Sequence, residues 1–430
     1  SGEVSIYQST PLIFWISIIS SVITGICFII LCLSRSMTNQ DYFWKLWLFL
    51  ILLCYSACLG VFVLRGYYMW CISGDPASHI GWIAETLTNK FTPKSLLYPI
   101  THIFLSQISL LSNLDLVFLH KIIPLLFGVL CVVFMYLFSR CITSIRITPV
   151  LVVIISCSFL FDWYLNLTPN GLSNMFFPLA LFLMYKFYKE YYIGWAILLL
   201  IIIILYPVFH PIPAIIIGLI FLTFWVPQKI SGTLYMMQNN QKLSSKDYKW
   251  NNSKLLLPFL VLIIWFIFWI SMYSVWGYSV RHIYDTINAE GGPSHIKNLL
   301  DQISYVSGYG YNIYEIILKQ LGGPLIVFIL ALLAFPVLWK KYLKEQREGF
   351  LFSLYGPLGV LCIFISVLYI FNLGFGPLRL LIYITMIGSV ISAYFLSHFL
   401  IKSQNINIKS SWSVKIFVIV LLSGLFIGGL

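Results

Sequence analysis

The feature that most constrains this chain is an apolar run of about 20 residues that recurs along its whole length. A run of about 20 apolar residues is long enough to cross the hydrocarbon core of a bilayer as a helix. The stretch LIIIIL at 200–205 lacks the alternation that a membrane β-strand requires. Of all residues, 60% are hydrophobic and 9% are charged, whereas soluble proteins have about 25% charged residues. The sequence therefore predicts an all-α polytopic membrane protein.

The hydropathy pattern predicts about 11–12 transmembrane helices in a single transmembrane domain that spans residues 1–430. We expect the spans at 12–34, 43–65, 116–139, 147–162, 172–188, 193–209, 211–228, 255–278, 323–339, 350–371, 378–400 and 413–430. The apolar segment 95–112 is shorter and is broken by Pro99, so we expect an interfacial or re-entrant helix there. Because the chain opens on Ser1 and its last apolar run reaches Leu430, we expect the natural protein to continue beyond either end.

The distribution of charged residues predicts the orientation of these spans. The loops on one side carry 18 of the 26 basic and five of the 14 acidic residues, a net charge of +13, and the other side carries eight basic and nine acidic residues, a net charge of −1. The positive-inside rule makes the first side, which includes loop 229–254, cytoplasmic. Loops 66–115 and 279–322 are then extracytoplasmic, in what we expect to be the cell membrane. Topology thus accounts for the basicity, and no nucleic-acid partner is predicted.

Neither the nine cysteines nor the histidines follow a familiar site pattern. No C-x-x-C pair and no H-E-x-x-H motif occurs in the sequence, so no zinc site and no disulfide framework are indicated. We predict no metal ligands and no cofactor, while a divalent metal stays open as an alternative, with His79 as its candidate ligand.

The stretch GDPASHIGW, residues 74–82, is the most unusual part of the predicted outer side. It places Asp75 and His79 one helical turn apart on one face. Asp75-Pro76 is also an effective helix start, with aspartate as the N-cap and proline at the first helical position. A catalytic carboxylate, a helix cap and a hydrogen bond that pins the loop are therefore alternative roles for this pair.

Further polar residues on the predicted outer side have competing interpretations. Arg379 follows Gly374-Phe375-Gly376-Pro377 at the outer start of a span, where it is either an interfacial anchor or a phosphate clamp. His210 stands in the proline-broken turn 206–213 and is either a satisfied kink residue or a site residue. The other candidate substrate-binding residues are Tyr98, His102, Asp162, Asn170, Arg281 and His282.

The layout resembles the C-type membrane glycosyltransferases, whose relatives include protein mannosyltransferases, oligosaccharyltransferases and the lipid A aminoarabinose transferase. The resemblance covers roughly residues 43–400 and rests on an aspartate early in the first large outer loop, short helices after it and a late outer arginine. GDPASHIGW with YPITHIF (98–104) is similar to the first-loop pattern of prokaryotic, especially archaeal, members. Neither an Asp-Glu pair nor a Trp-Trp-Asp-Tyr-Gly signature is present, which leaves the acceptor class open.

The resemblance implies an enzyme that transfers a sugar from a polyprenyl-phosphate-linked donor to an acceptor on the extracytoplasmic face, by inverting direct displacement. The acceptor would be a protein, a lipid or a glycan. Asp75 would act as the general base, His79 would shape its site, and Arg379 would hold the lipid phosphate.

Three other functions compete with this interpretation. They are a lipid-linked-sugar flippase or transporter, an O-antigen polymerase or ligase-like enzyme, and a non-catalytic subunit of a membrane complex. Transporters place ionisable residues near the midplane on broken helices and often have repeated halves. Here the polar residues cluster at one rim and no convincing repeat is found, which favours an enzyme.

Overall fold

The structure is a computed structural model. It describes residues 6–34, 43–65, 75–90, 96–160, 167–190, 192–224, 253–273, 312–345, 349–370, 377–404 and 408–429, and isolated positions between 277 and 308. Within these residues the secondary structure is helical and no strand occurs. Together with the long apolar helices described below, this confirms the predicted all-α polytopic membrane fold.

The structure gives bounds for seventeen α-helices among the described residues, numbered here in chain order. They are α1 Ile6–Ser9, α2 Leu12–Ser34, α3 Phe43–Arg65, α4 Asp75–Asn89, α5 Ile100–Ser112, α6 Leu116–Ile142, α7 Thr148–Phe159, α8 Pro169–Met175, α9 Phe177–Lys189, α10 Ile193–Phe209, α11 Pro211–Phe224, α12 Ser253–Ser271, α13 Ile313–Glu345, α14 Gly349–Ser353, α15 Tyr355–Ile370, α16 Leu381–Gln404 and α17 Ile408–Gly429. A 3₁₀ turn, Pro377–Leu380, leads into α16.

Seven segments among the described residues are long and apolar enough to cross a membrane, and each coincides with a predicted span. They are Leu12–Leu33, Phe43–Val61, Leu116–Ile142, Leu321–Tyr342, Gly349–Leu368, Leu381–Ser403 and Ser411–Gly429. Four further predicted spans coincide with the shorter apolar helices α7, α10, α11 and the Leu255–Ser271 part of α12.

The predicted span at 172–188 is divided in the structure. Helix α8 ends at Met175, and α9 begins at Phe177. The second residue of α9 is Pro178, which has no N–H to donate and whose ring crowds the carbonyl of the residue four positions earlier. A proline is readily accommodated in the first turn of a helix, so Pro178 favours the new helix start at Phe177. It does not by itself require the interruption, because α6, α10, α12 and α13 carry prolines in their interiors.

The chain packs as two compact units. The first comprises residues 1–92, 101–176 and 392–430, and the second comprises residues 93–100 and 177–391. Helix α7 is the core of the first unit, because all twelve of its residues are buried and α3, α6 and α17 pack against it. In the second unit, the hydroxyl of Tyr355 donates to the carbonyl of Ala331 (2.6 Å), and Tyr383 packs edge-on against Phe177.

A buried tyrosine completes the hydrogen bonding at the end of α7. The hydroxyl of Tyr55, which is fully buried on α3, donates to the carbonyl of Leu160 over 2.7 Å. Tyr55→Phe is expected to destabilise the protein by about 1–3 kcal/mol, because a buried carbonyl then loses this donor. Thermal unfolding in detergent measures the effect. The control is Tyr192→Phe at a side chain that is 64% exposed; equal melting temperatures of the two variants would contradict the assignment.

Candidate functional site

Helix α4 begins at Asp75 and carries His79 one turn later. Asp75 is the first residue of the helix, whereas the sequence predicts it as the N-cap, the residue just before the first helical one. Pro76 lies in the first turn, where its missing N–H leaves no intrahelical hydrogen bond unmade. The carboxylate of Asp75 lies outside the described side chains, so its role as base or cap stays a prediction.

His79 forms a hydrogen-bonded pair with His102 of α5. The His79 Nδ1 and His102 Nε2 atoms are 2.9 Å apart, and the side chains are 6% and 0% exposed. One turn further along each helix, the hydroxyl of Ser106 donates to the carbonyl of Ile83 over 3.4 Å. Because both contacts advance by four residues on each helix, one face of α4 meets one face of α5. The pair therefore belongs to the packed surface between two short helices.

Trp82 covers the histidine pair from α4. Its ring meets His79 edge-on at 5.1 Å between centroids and His102 edge-on at 5.7 Å. The neighbouring Thr101 is fully buried, and its hydroxyl has no hydrogen-bond partner among the described residues. No role for Trp82 or Thr101 is predicted from the sequence, although the i, i+3 spacing of His79 and Trp82 indicates a shared helix face.

At this distance, the His79 Nδ1 and His102 Nε2 atoms share one hydrogen bond, which contains a single proton. One neutral ring donates its N–H and the other accepts, so protonation of one ring is linked to the state of the other. The sequence predicts His102 as a substrate-binding residue; the structure buries it fully and places its Nε2 against His79. Substrate binding by His102 stays a prediction.

The second unit brings together two other predicted site residues. The Tyr98 and His210 rings lie 5.1 Å apart between centroids. His210 separates α10 from α11 with an extended backbone, and its Nδ1 accepts the N–H of Ile212 over 3.2 Å. In the neutral ring, the proton therefore resides on Nε2. Next to Tyr98, the carbonyl of Leu97 accepts the indole N–H of Trp269 over 2.9 Å, a contact that the sequence did not predict.

The hydrogen bond from Ile212 makes His210 a cap for α11, which can be tested by substitution. His210→Ala is expected to destabilise the protein by about 1 kcal/mol, as loss of a capping side chain typically does. His210→Asn should retain most of the stability, because an Asn oxygen can take the place of Nδ1. Thermal unfolding of both variants in detergent is the measurement, and equal destabilisation by Asn and Ala would show that the cap is unimportant.

The structure gives local surroundings for three of the remaining predicted residues and leaves two outside the described residues. Asn170, half-buried near the start of α8, accepts the hydroxyl of Ser173 at its backbone carbonyl over 2.9 Å. Arg379 is half-buried in the turn before α16, and Arg281 is exposed. Asp162 and His282 lie outside the described residues. A shared cavity of Asp75 and Arg379 stays a prediction.

A further buried histidine lies on α6, which packs against α4. This residue, His120, is 0% exposed and was not predicted as a site residue. Among the described residues, no group of three or more His, Cys, Asp or Glu side chains could hold a metal ion. The carboxylate of Asp75 is not among them, so a divalent metal bound there stays an open alternative.

The candidate site is thus the buried contact between α4 and α5, one turn from Asp75. Comparison of the chain with models of protein families found none that matches, and comparison with curated proteins found no match. The interpretation of the candidate site therefore rests on the residues and geometry of this chain.

Proposed function

We propose that this protein is a membrane glycosyltransferase that moves a sugar from a polyprenyl-phosphate donor to an acceptor hydroxyl on the extracytoplasmic face. The observation that carries the proposal is the start of α4 at Asp75 with His79 against His102 one turn later. A carboxylate is suited to accepting a proton, and Asp75 stands one helical turn before the buried imidazole of His79 along α4. In chain order, α4 and α5 stand between α3 and α6, two helices that contain segments long and apolar enough to span a membrane.

The proposed reaction assigns a task to each of three residues. The acceptor oxygen attacks the anomeric carbon while Asp75 takes the hydroxyl proton, and the bond to the phosphate oxygen breaks with its electron pair on the phosphate. The position of Asp75 in the first turn of α4 favours the ionised carboxylate that a base needs. Arg379 would hold the phosphate on which negative charge develops, a task for which a guanidinium is suited, and His79 would shape the site.

The distribution of acidic residues favours an enzyme over an ion-coupled transporter. None of the seven long apolar segments contains Asp or Glu, whereas transporters use intramembrane ionisable groups in their substrate and ion pathways. The donor's apolar tail would lie in the bilayer, and the positive-inside charge bias supports a site on the outer face. The acceptor is a protein, a lipid or a glycan.

The test is sugar transfer by the full chain in proteoliposomes. Synthetic polyprenyl-phosphate hexoses and pentoses are offered with peptide, lipid and glycan acceptors, and mass spectrometry follows the acceptor and the released polyprenyl phosphate. We expect acceptor mass to increase by one sugar, with the anomeric configuration inverted. Movement of a lipid-linked sugar between leaflets without transfer would favour a flippase, and transfer only of preassembled glycans would favour a polymerase or ligase. If the protein neither transfers a sugar or glycan nor moves a lipid-linked sugar between leaflets, the result would favour a non-catalytic subunit.

A further inference from the structure

Within the proposed function, we infer that His102 is a positioning residue that enables His79 to accept the proton that Asp75 removes from the acceptor hydroxyl. The inference rests on the 2.9 Å contact between His79 Nδ1 and His102 Nε2 and on the burial of both rings. His102 acts through His79 and need not touch the substrate. It therefore has a role different from the substrate contact that the sequence predicts.

Burial explains why His79 needs a partner. Removal from water disfavours the charged form of an imidazole, while a hydrogen bond made by the charged form favours it. His79 is 6% exposed, so a positive charge on this ring alone has little contact with water. When His79 is protonated, its Nδ1–H donates to Nε2 of neutral His102. The positive charge is then stabilised across both rings, covered by Trp82.

In the proposed reaction the proton passes from the acceptor hydroxyl to Asp75 and then to His79. The acceptor O–H bond breaks and its proton passes to the Asp75 carboxylate as the new glycosidic bond forms. The Asp75 O–H then gives the proton to Nε2 of His79, whose Nδ1–H remains donated to His102. Asp75 is again ionised, the polyprenyl phosphate has left with its electron pair, and the histidine pair carries one positive charge until its proton is lost to water.

Among the described residues, the charged and titratable groups on the helices packed at the pair include the following. Helix α5 contributes no charged residue, and α4 contributes Asp75 and the exposed Glu85. Helix α6 packs against α4 and contributes Lys121, the buried His120, and its cap Asp115. The carboxylate of Asp115 is already engaged by the N–H groups of its own helix. Within this set, the i, i+4 spacing of Asp75 from His79 makes that carboxylate the natural proton donor to the pair.

The test compares His102→Met with His102→Gln across about pH 5–9. His102→Met removes the acceptor, and the rate of transfer per folded protein should fall by about tenfold or more. This is less than the roughly 10²–10⁴-fold that a direct acid or base contributes, because His102 acts through His79. The acidic limb of the pH–rate profile should move to lower pH, because His79 then protonates less readily. His102→Gln places an oxygen near the position of Nε2 and should recover part of the rate. His398→Met, on α16 beside Tyr394, is the matched control and should leave the rate and profile unchanged.

Nitrogen-15 NMR of the histidine rings provides an independent readout. In the wild-type protein, His79 and His102 should take up a first proton as a pair, with both rings responding together, and His102→Met should abolish this coupling. Independent titration of the two rings would overturn the inference even if sugar transfer occurs. The inference would also be overturned if His102→Met left the pH–rate profile unchanged and lowered sugar transfer only in proportion to the amount of folded protein. A shared proton in a protein that transfers no sugar would overturn the catalytic role together with the proposed function.

Discussion

Replacing Asp75 with Asn should lower sugar transfer by about 10²-fold or more, the loss typical of a missing general base. Asn has nearly the same shape as Asp and supports a helix start about as well, so α4 should remain intact. The amide cannot accept the hydroxyl proton, which is why transfer is lost while folding is not. The measurement is the initial rate per mole of folded protein, with the folded fraction taken from thermal unfolding in detergent.

Asp115→Asn is the matched control for this variant. Asp115 caps α6 with its carboxylate, which accepts the N–H groups of Val117 and Phe118 over 2.9 and 3.3 Å. The same chemical change is thus made at another helix start of the same loop, and we expect full transfer from that variant. If Asp75→Asn folds and keeps the wild-type rate, Asp75 serves only the helix start and the proposed mechanism is wrong.

The membrane helices could be predicted because their length and apolar character are properties of contiguous sequence. A run such as Leu12–Leu33 needs no tertiary information to be identified as a span. The interruption between Met175 and Phe177 was not predicted, because the largely apolar run after it dominates the hydropathy of residues 172–188 although Ser173 and Asn174 precede the break. Pro178 is a local signal that favours a new helix start, but prolines inside α6, α10, α12 and α13 show that it does not decide the interruption alone.

The site could be predicted only as far as one helix extends. The spacing of Asp75 and His79 is readable as one helical turn, and α4 does begin at Asp75. The contact of His79 with His102 joins residues 23 positions apart and depends on how α4 docks against α5, which no local pattern specifies. On α5 the sequence places His102 and Ser106 one turn apart, but the partner of Ser106 is the backbone carbonyl of Ile83, which no side chain type identifies.

His210 shows how one residue can satisfy a structural interpretation without excluding a functional one. The sequence left a kink residue and a site residue as alternatives. The structure places its Nδ1 on the N–H of Ile212, which accounts for the histidine between two helices. The Tyr98 ring beside it keeps this pair a candidate for substrate binding in the second unit, and the His210→Asn variant separates the two roles because it retains the cap while removing the imidazole.

Arg379→Gln should lower kcat/KM for the polyprenyl-phosphate donor by about 10²-fold, the loss typical when one group that stabilises developing negative charge is removed. This corresponds to about 2.7 kcal/mol of transition-state stabilisation. Arg379→Lys should lie between wild type and Gln, because lysine retains the charge but not the forked geometry that binds phosphate oxygens in pairs. Steady-state kinetics with the donor concentration varied give kcat and KM separately, and both should be affected if Arg379 holds the phosphate throughout the reaction.

An interfacial anchor predicts a different pattern for the same variants. Arg379 is half-buried in the turn that leads into α16, and an anchoring side chain needs only a positive charge that reaches water. Under that interpretation, Lys replaces Arg fully, and any loss in Gln follows the amount of folded protein. Arg140→Gln, at an exposed arginine near the predicted cytoplasmic end of α6, controls for the loss of one basic residue. Wild-type kcat/KM in folded Arg379→Gln protein would remove the phosphate-binding role, because a cation that contacts the leaving group cannot be deleted without cost to the transition state.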